Sequence, residues 1–207
     1  MIDNTAFKKE LEERVKEINA GIAGYLPEEK GCQKTIFEAM NYSMNAGGKR
    51  LRPLLMQEVC RLFTGEVSEI VKPFMAAIEM IHTSSLVHDD LPCMDDDDFR
   101  RGKPTNHKVF GQANAVLAGD ALLTTAFAVL AEASLPAERV QRGIAALANA
   151  AGPNGMVGGQ VLDLLGEGNS LQEEEILAIE SLKTGCMIEA AARLGAIAAG
   201  STPEEEA

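Results

Sequence analysis

Six aspartates lie within ten consecutive positions of one segment, HDDLPCMDDDDFRRGKPT, residues 88–105. Carboxylates crowded in this way repel one another, so the cluster is costly beside a core unless cations neutralise it. Mg²⁺ is a hard ion that takes carboxylate oxygens and fills its remaining positions with water and substrate phosphate. These residue types therefore indicate a magnesium site that receives a phosphorylated ligand.

The spacing of Asp89 and Asp95 decides whether both can reach one ion. Six positions of an ideal helix correspond to a rotation of about 600°, so one straight helix face cannot present both carboxylates. Pro92 lies between them and disrupts regular helix, which lets a distorted turn bring them to one mouth. An acidic run by itself is more often a solvated loop, and that alternative stays open on spacing alone.

Neighbouring polar residues favour the metal site over the solvated loop. His82, Ser85 and Asp89 fall on one face of the helix that precedes the cluster, where a core is expected. Arg100 and Arg101 follow the aspartates directly. Because adjacent side chains diverge, these two guanidinium groups can bind two different anions.

A basic segment, GGKRLRP at residues 47–53, is the second group that could do chemistry. Glycines at a helix boundary let an anion approach backbone N–H groups. Lys49 and Arg52 are three positions apart and can face one diphosphate together. The segment is not a Walker loop, because Ser43 stands where the first glycine of that motif belongs. Taken alone, it is more often an ordinary basic loop.

Two weaker signals lie further along the chain. Lys183 and Thr184 offer one cation and one hydroxyl in SLKTG, although an ordinary helix end explains this segment as well. Gln160 and Asp163 form a polar pair three positions apart in an otherwise apolar helix. A buried structural hydrogen bond accounts for that pair about as well as a substrate contact.

The elements that must position these residues are helices. Hydrophobic residues make up 46% of the 207 residues and aromatic residues only 4%, with Ala, Leu, Met and Glu abundant, a composition that favours helix over strand. With no internal repeat or domain boundary, we expect an all-α fold, a helical bundle in a single domain, residues 1–207. The apolar periodicity predicts helices at about residues 11–24, 32–45, 53–65, 67–88, 112–133, 137–150, 155–165 and 171–199, with a loop at 89–107.

Charge and cysteine usage narrow the function classes. The net charge is −12, so the surface repels nucleic acid and anionic lipid, and an anionic substrate needs a basic pocket or a bridging cation. The four cysteines have no paired spacing, which is typical of thiols in a reducing compartment. The N-terminus lacks the apolar core of a signal peptide, and charges such as Asp120 interrupt the apolar regions. We expect a cytoplasmic protein with no membrane span.

Four segments together, GGKRLRP, LVHDDLPCMDDDDFRRGKPT, GGQVLDL and SLKTG, resemble the trans (E)-polyprenyl diphosphate synthase family. This family includes farnesyl and geranylgeranyl diphosphate synthases, and the resemblance covers nearly the whole chain. The acidic segment that runs into Arg-Arg-Gly-Lys-Pro-Thr is its most specific part. The resemblance implies an all-α helical bundle of the isoprenoid synthase type around a central apolar cavity. It also implies a homodimer and a head-to-tail condensation that gives a C15 or C20 prenyl diphosphate.

The resemblance also implies a role for each matching residue. Asp89 and Asp95 would bind Mg²⁺, which grips the allylic diphosphate. The residues that would contact this allylic diphosphate are Arg100, Lys183, Thr184 and Gln160. The residues that would hold isopentenyl diphosphate are Gly48, Lys49, Arg52, His82 and Arg101.

The family has a second acidic motif, of the FQxxDDxxD type, which does not occur before Ala207. We therefore expect residues 1–207 to be the N-terminal portion of a longer enzyme, with little turnover alone. A catalytically silent subunit, an acidic metal-binding module and a terpene cyclase are the alternatives. A cyclase needs only one diphosphate, so the second basic set (Lys49, Arg52 and Arg101) argues against it.

Ser84 and Ser85 generate a prediction about product length. They precede Asp89 by five and four positions, where the resemblance implies bulky residues that form the floor of the product cavity, although other helices can also supply a floor. Small side chains leave a deeper cavity, which favours C20 or longer products over C15. Replacing Ser84 by Phe should therefore shorten the product, as measured by chromatography of the products. An unchanged product distribution would reject this role.

Overall fold

The computed structural model describes residues 5–66 and 68–206 and confirms the all-α class. Two-residue strands form the only described sheet, in which Phe99 pairs antiparallel with Pro104. The α-helices and strands are α1 (Thr5–Ala23), α2 (Lys34–Met44), α3 (Leu51–Thr64), α4 (Lys72–Asp89), β1 (Phe99–Arg100), β2 (Lys103–Pro104), α5 (Asn106–Phe110), α6 (Gln112–Ala131), α7 (Ala137–Ala151), α8 (Met156–Gly166), α9 (Glu173–Glu180) and α10 (Cys186–Ala199). Two short 3₁₀ turns, Glu69–Val71 and Pro203–Glu206, and one π-helical turn, Ser181–Gly185, complete the described elements.

Several predicted helix boundaries differ from those in the structure, and one falls outside the described residues. Helix α3 begins at Leu51 rather than at Pro53, because proline is tolerated within the first turn of a helix. The 3₁₀ turn Glu69–Val71 precedes α4, and Val67, where the fourth helix was expected to begin, lies outside the described residues. The helix predicted at residues 171–199 consists of α9, the π turn and α10.

The chain divides into two compact units, and the first comprises residues 1–54 and 75–132. Residues 75–81 of α4 are all buried in it, which is typical of a helix that is apolar on nearly every face. Polar contacts tie the hairpin and α5 to α2. The Asn106 side-chain amide donates to the Ala39 carbonyl at 2.8 Å, and the Tyr42 hydroxyl donates to the Pro104 carbonyl at 2.8 Å.

The second unit comprises residues 55–74 and 133–207. Helix α10 forms much of its core and packs on α7. Gly195 allows α10 to approach the α3 backbone closely, since an added Cβ would lie only 2.5 Å from the Met56 carbonyl oxygen. The expectation of a single domain and of a central apolar cavity stays a prediction.

Helix α6 is, within residues 5–66 and 68–206, the one helix long and apolar enough to cross a membrane by length and composition, with a mean hydropathy of 1.6. We expected Asp120 to make this segment too polar to cross a membrane. That expectation was wrong, because a single charged residue leaves the mean hydropathy of the helix high enough for a span. The core helix of a soluble protein passes the same test, so one such helix is weak evidence of a span. In the first unit α6 packs on α2 and α5.

Candidate functional site

The acidic turn after α4 brings the backbones of Asp89 and Asp95 together. The Asp95 N–H donates to the Asp89 carbonyl at 2.9 Å, and the Asp96 N–H donates to the Leu91 carbonyl at 3.1 Å. The chain therefore reverses within six residues after α4 ends at Asp89, and Pro92 lies inside this turn. Asp89 is half-buried at the end of α4 and Asp95 is exposed, so the turn brings the backbones of the two residues together, and the convergence of their carboxylates stays a prediction.

Asp90 and Arg100 form a partly buried ion pair at the base of this turn. The Asp90 carboxylate is 3% exposed and accepts from Nε and Nη2 of Arg100, each at 2.6 Å. Burial raises the pKa of Asp90 although Arg100 opposes this, and the hydrogen bond from Arg100 to Asp90 raises the pKa of the guanidinium. The sequence pattern did not reveal this pair, which ties Arg100 to the acidic turn.

Two further aspartates of the cluster, Asp97 and Asp98, have cations beside them at the surface. Asp97 lies 3.6 Å from Arg100, and Asp98 lies 2.6 Å from the Lys108 ammonium. Exposed pairs of this kind contribute little to stability. These ion pairs reduce the electrostatic repulsion between the carboxylates of the turn and do not involve Asp95.

The carboxylates of Asp89 and Asp95 fit a magnesium ion whose remaining coordination positions are filled by water and a bound diphosphate. In the described ranges, 5–66 and 68–206, no group of three or more His, Cys, Asp or Glu side chains is arranged to hold a metal. Mg²⁺ commonly uses one or two protein carboxylates and completes its shell with water and phosphate oxygens. Two adjacent carboxylate-bearing residues, Asp89 and Asp95, suit that mode, in which the diphosphate supplies the missing oxygens.

His88 fixes the last turn of α4 just before Asp89. Its Nε2 lies 3.1 Å from the Val116 carbonyl oxygen and 3.7 Å from an Asp120 carboxylate oxygen. Gly119 makes this approach possible, because an added Cβ would collide with the imidazole ring. Helix α6 therefore supports the acidic turn from one side.

A cation-rich cavity of about 580 Å³ lies beside the basic segment. It is large enough for a small diphosphate. The structure brings to it all five residues that the resemblance assigned to isopentenyl diphosphate. The lining residues are Ala46, Gly48, Lys49, Arg50, Leu51, Arg52, Glu79, His82 and Arg101. This lining contains four cationic side chains and one carboxylate, so its net positive charge favours an anionic ligand.

Arg101 lies against the glycine pair at the cavity mouth. Its Nη1 donates to the Gly47 carbonyl, and a Cβ added to Gly48 would lie 2.8 Å from the same nitrogen. Gly48 also has a φ of 146°, which L side chains rarely adopt. Burial and the nearby Arg50 charge lower the pKa of Arg101. This crowding of positive charge is the electrostatic signature of an anion site.

His82 is neutral in this environment. Burial, followed by the charges of Arg52 and Arg101, lowers the pKa of His82 to about 3. The ring therefore offers a neutral N–H to an anion near pH 7 and adds no repulsion to the surrounding cations. Its neighbour Ser85 donates to the His82 carbonyl at 2.9 Å, whereas Ser84 is buried in α4.

Lys183, Thr184 and Gln160 belong to the second unit. The Lys183 ammonium lies 2.6 Å from an Asp163 carboxylate oxygen, and Gly159 lets α8 pack against the Lys183 backbone, because a Cβ there would collide with it. Lys183 lies in the π turn, a geometry that is frequent at functional sites. The Gln160 side-chain nitrogen is buried with no hydrogen-bond partner in the described part of the chain, whereas Thr184 is exposed.

Comparison with known proteins shows the family to which the chain belongs. The family model described as polyprenyl synthetase matches residues 33–207. The chain is 52% identical over 177 residues to heterodimeric geranylgeranyl pyrophosphate synthase large subunit 1, chloroplastic, of Arabidopsis thaliana, a match that covers 82% of this chain and 47% of that protein. It is 47% identical over 194 residues to farnesyl diphosphate synthase of Geobacillus stearothermophilus, covering 92% of this chain and 65% of that protein.

The crystal structure of an apo FPP/GFPP synthase from Zymomonas mobilis superposes with a TM-score of 0.87 and 41% sequence identity, covering 95% of this chain and 72% of that one. The chain therefore belongs to the polyprenyl synthetase family. It spans only 47% to 65% of the length of the two curated relatives named above.

The low pKa of His82 predicts a specific dependence of stability on pH. Its pKa falls from 6.5 to about 3 on folding, so between these values the unfolded chain binds more protons and stability rises with pH. His82→Gln removes this titration. Urea unfolding from pH 4 to 8 should show wild-type stability rising relative to the variant up to about pH 6.5, with a slope of at most about 1.4 kcal/mol per pH unit. Parallel curves for the two proteins would contradict the burial of a neutral His82.

Proposed function

We propose that this chain carries the isopentenyl-binding part and the first metal-binding part of an (E)-prenyl diphosphate synthase. The reaction joins isopentenyl diphosphate head-to-tail to an allylic diphosphate and gives a C15 or C20 prenyl diphosphate. One observation carries the proposal. Two consecutive residues of one hairpin point to two different sites, Arg100 to Asp90 in the acidic turn and Arg101 to Gly47 at the cationic cavity. A protein that binds two diphosphates at once needs such a pair.

Magnesium belongs to the same proposal, with Asp89 and Asp95 as its protein ligands. When bound, the ion neutralises diphosphate oxygens and stabilises the departing pyrophosphate. Support comes from the backbone contact between these residues and from the preference of Mg²⁺ for hard oxygen donors. The names of the relatives, a farnesyl diphosphate synthase and a subunit of a geranylgeranyl pyrophosphate synthase, support the substrate class.

The side chains of this chain have separate tasks in the condensation. Arg100 binds the allylic diphosphate and balances the negative charge that grows as its C–O bond breaks, the task that the resemblance also assigns to Lys183 and Thr184. Lys49 and Arg101 hold isopentenyl diphosphate so that its double bond can attack the resulting allylic cation. A carbon–carbon bond forms, a proton leaves the former isopentenyl unit, and the released pyrophosphate accepts that proton. The protein then needs no base of its own.

Lys49 gives a direct test of the isopentenyl site. It is exposed beside the cavity, so Lys49→Gln should not disturb the fold, and loss of one charged contact should weaken binding about tenfold or more. Calorimetric titration with isopentenyl diphosphate measures this change. The matched control is Lys30→Gln, which removes an exposed lysine beside Glu28 and outside the residues that line the cavity.

Equal affinities of the wild type and Lys49→Gln would contradict the assigned site. Incubation with Mg²⁺, isopentenyl diphosphate and dimethylallyl diphosphate tests turnover in the same samples. We expect binding with little product from the 207 residues. Robust product would contradict the expectation of low turnover, and the absence of binding by the wild type would contradict the proposed function.

A homodimer formed through α6 is also part of the proposal. The apolar side chains Val116, Leu117 and Leu123 of this helix are exposed in the first unit, and a contiguous exposed apolar patch is a feature of protein–protein interaction sites. The Arabidopsis relative is named as one subunit of a heterodimer, so a second, different subunit is the competing assembly.

Leu117→Glu should convert the dimer into a monomer, because it places a charge in the proposed apolar interface. Sedimentation velocity across a concentration series measures the assembly. Leu62→Glu is the matched control, since Leu62 of α3 is also an exposed leucine and lies outside that face. A wild type that stays monomeric, or a Leu117→Glu variant that still dimerises, would contradict the α6 interface.

A cytoplasmic location completes the proposal. All four cysteines lie within the described ranges and none forms a disulfide, which suits a reducing compartment. Recovery of the tagged protein from a secreted or membrane fraction would contradict this location.

A further inference from the structure

We infer that Arg50 is a positioning residue, which acts with Glu79 to hold the loop at residues 47–50 so that Lys49 and Arg52 face the cationic cavity. The inference rests on the proposed function of that cavity and adds a residue that has no assigned role in it. It concerns the one basic residue of GGKRLRP that the sequence pattern left without a task.

The Arg50 guanidinium is buried and fully engaged by the protein. Its side chain and that of Glu79 are each 3% exposed, with Nη1 at 2.5 Å from the Glu79 carboxylate. Its Nε donates to the Asn19 side-chain oxygen at 2.8 Å and its Nη2 donates to the Met44 carbonyl at 2.7 Å. One side chain therefore connects α1, the end of α2 and the middle of α4.

The backbone of this loop needs such an anchor. Arg50 has a φ of 50°, and Gly47 and Gly48 have φ values of 87° and 146°. A non-glycine residue rarely adopts positive φ, so the surrounding contacts must hold it there. Lys49, the residue before Arg50, is exposed. Because the Arg50 side chain points into the protein, the Lys49 side chain is directed towards the ligand.

Arg50 itself is a poor ligand contact. It is almost inaccessible, and the Glu79 carboxylate neutralises its charge at short range. Lys49, Arg52 and Arg101 supply the net positive charge of the cavity. Removal of Arg50 alone would leave the Glu79 charge buried without a partner, which destabilises proteins strongly, so a single deletion cannot separate positioning from folding.

The test therefore removes both charges at once. Arg50→Met combined with Glu79→Met leaves no unpaired buried charge, and apolar replacement of a buried pair is often tolerated. We expect a folded variant whose Kd for isopentenyl diphosphate rises about tenfold or more because the loop is released. The Mg²⁺-dependent affinity for dimethylallyl diphosphate should stay unchanged, because the acidic turn is intact.

Two further variants serve as controls. Lys34→Met with Glu38→Met removes an exposed pair on α2, 3.0 Å apart, and should change neither affinity. Arg50→Lys keeps a charge for Glu79 but cannot reproduce the fork that reaches Asn19 and Met44. It should therefore show an intermediate loss of isopentenyl affinity, which is a partial rescue by the conservative change.

Each remaining outcome decides the inference. Unchanged isopentenyl affinity in the double variant, or an equal loss for both ligands, overturns the positioning role. If the double variant does not fold, Arg50→Lys decides, and wild-type affinity in that variant overturns the role. A wild type that does not bind isopentenyl diphosphate contradicts the proposed function instead. Amide hydrogen exchange then decides the inference. If Arg50 positions the loop, the amides of residues 47–52 exchange faster in the Arg50 variants than in the wild type, whereas exchange in α4 is unchanged.

Discussion

Repulsion between like charges at short range is the constraint on which this structure depends. The acidic turn crowds carboxylates around Asp89 and Asp95, and the cationic cavity crowds Arg52 and Arg101 around His82. Internal ion pairs relieve part of each cluster: Arg100 pairs with Asp90 and Glu79 pairs with Arg50. The charge that remains has opposite sign in the two places. One place therefore suits a cation and the other an anion.

The helices of the first unit supply the rigid support that such charges require. Helix α4 is buried at residues 75–81 and ends at Asp89, so the acidic turn follows a helix that is held in place by packing. His88 and Gly119 hold that end against α6. The hairpin that carries Arg100 and Arg101 is tied to α2 by the Tyr42 hydroxyl. The groups that we propose to bind two diphosphates are thus positioned by helix packing rather than by loops alone.

Much of the fold could be predicted from the sequence, because helices of a bundle leave a strong apolar period of 3.6 residues. The hairpin was missed because strands of two residues show no alternation. The π turn was missed because Ser181–Gly185 continues the helical pattern and differs only in its hydrogen bonds. The site residues were predicted from motifs, whereas the pairing of Arg50 with Glu79 was not. Their pairing joins positions 29 apart, which local spacing does not encode.

The proposed function requires the acidic turn to capture a divalent cation together with an allylic diphosphate. Calorimetric titration of dimethylallyl diphosphate, with and without Mg²⁺, tests it in the wild type and in Asp89→Asn with Asp95→Asn. The control is Asp97→Asn with Asp98→Asn, which removes two exposed acids of the same segment that lie beside Arg100 and Lys108. We expect Asp89→Asn with Asp95→Asn to abolish the Mg²⁺-dependent affinity and Asp97→Asn with Asp98→Asn to retain it. Unchanged Mg²⁺-dependent affinity in Asp89→Asn with Asp95→Asn would contradict the proposed function.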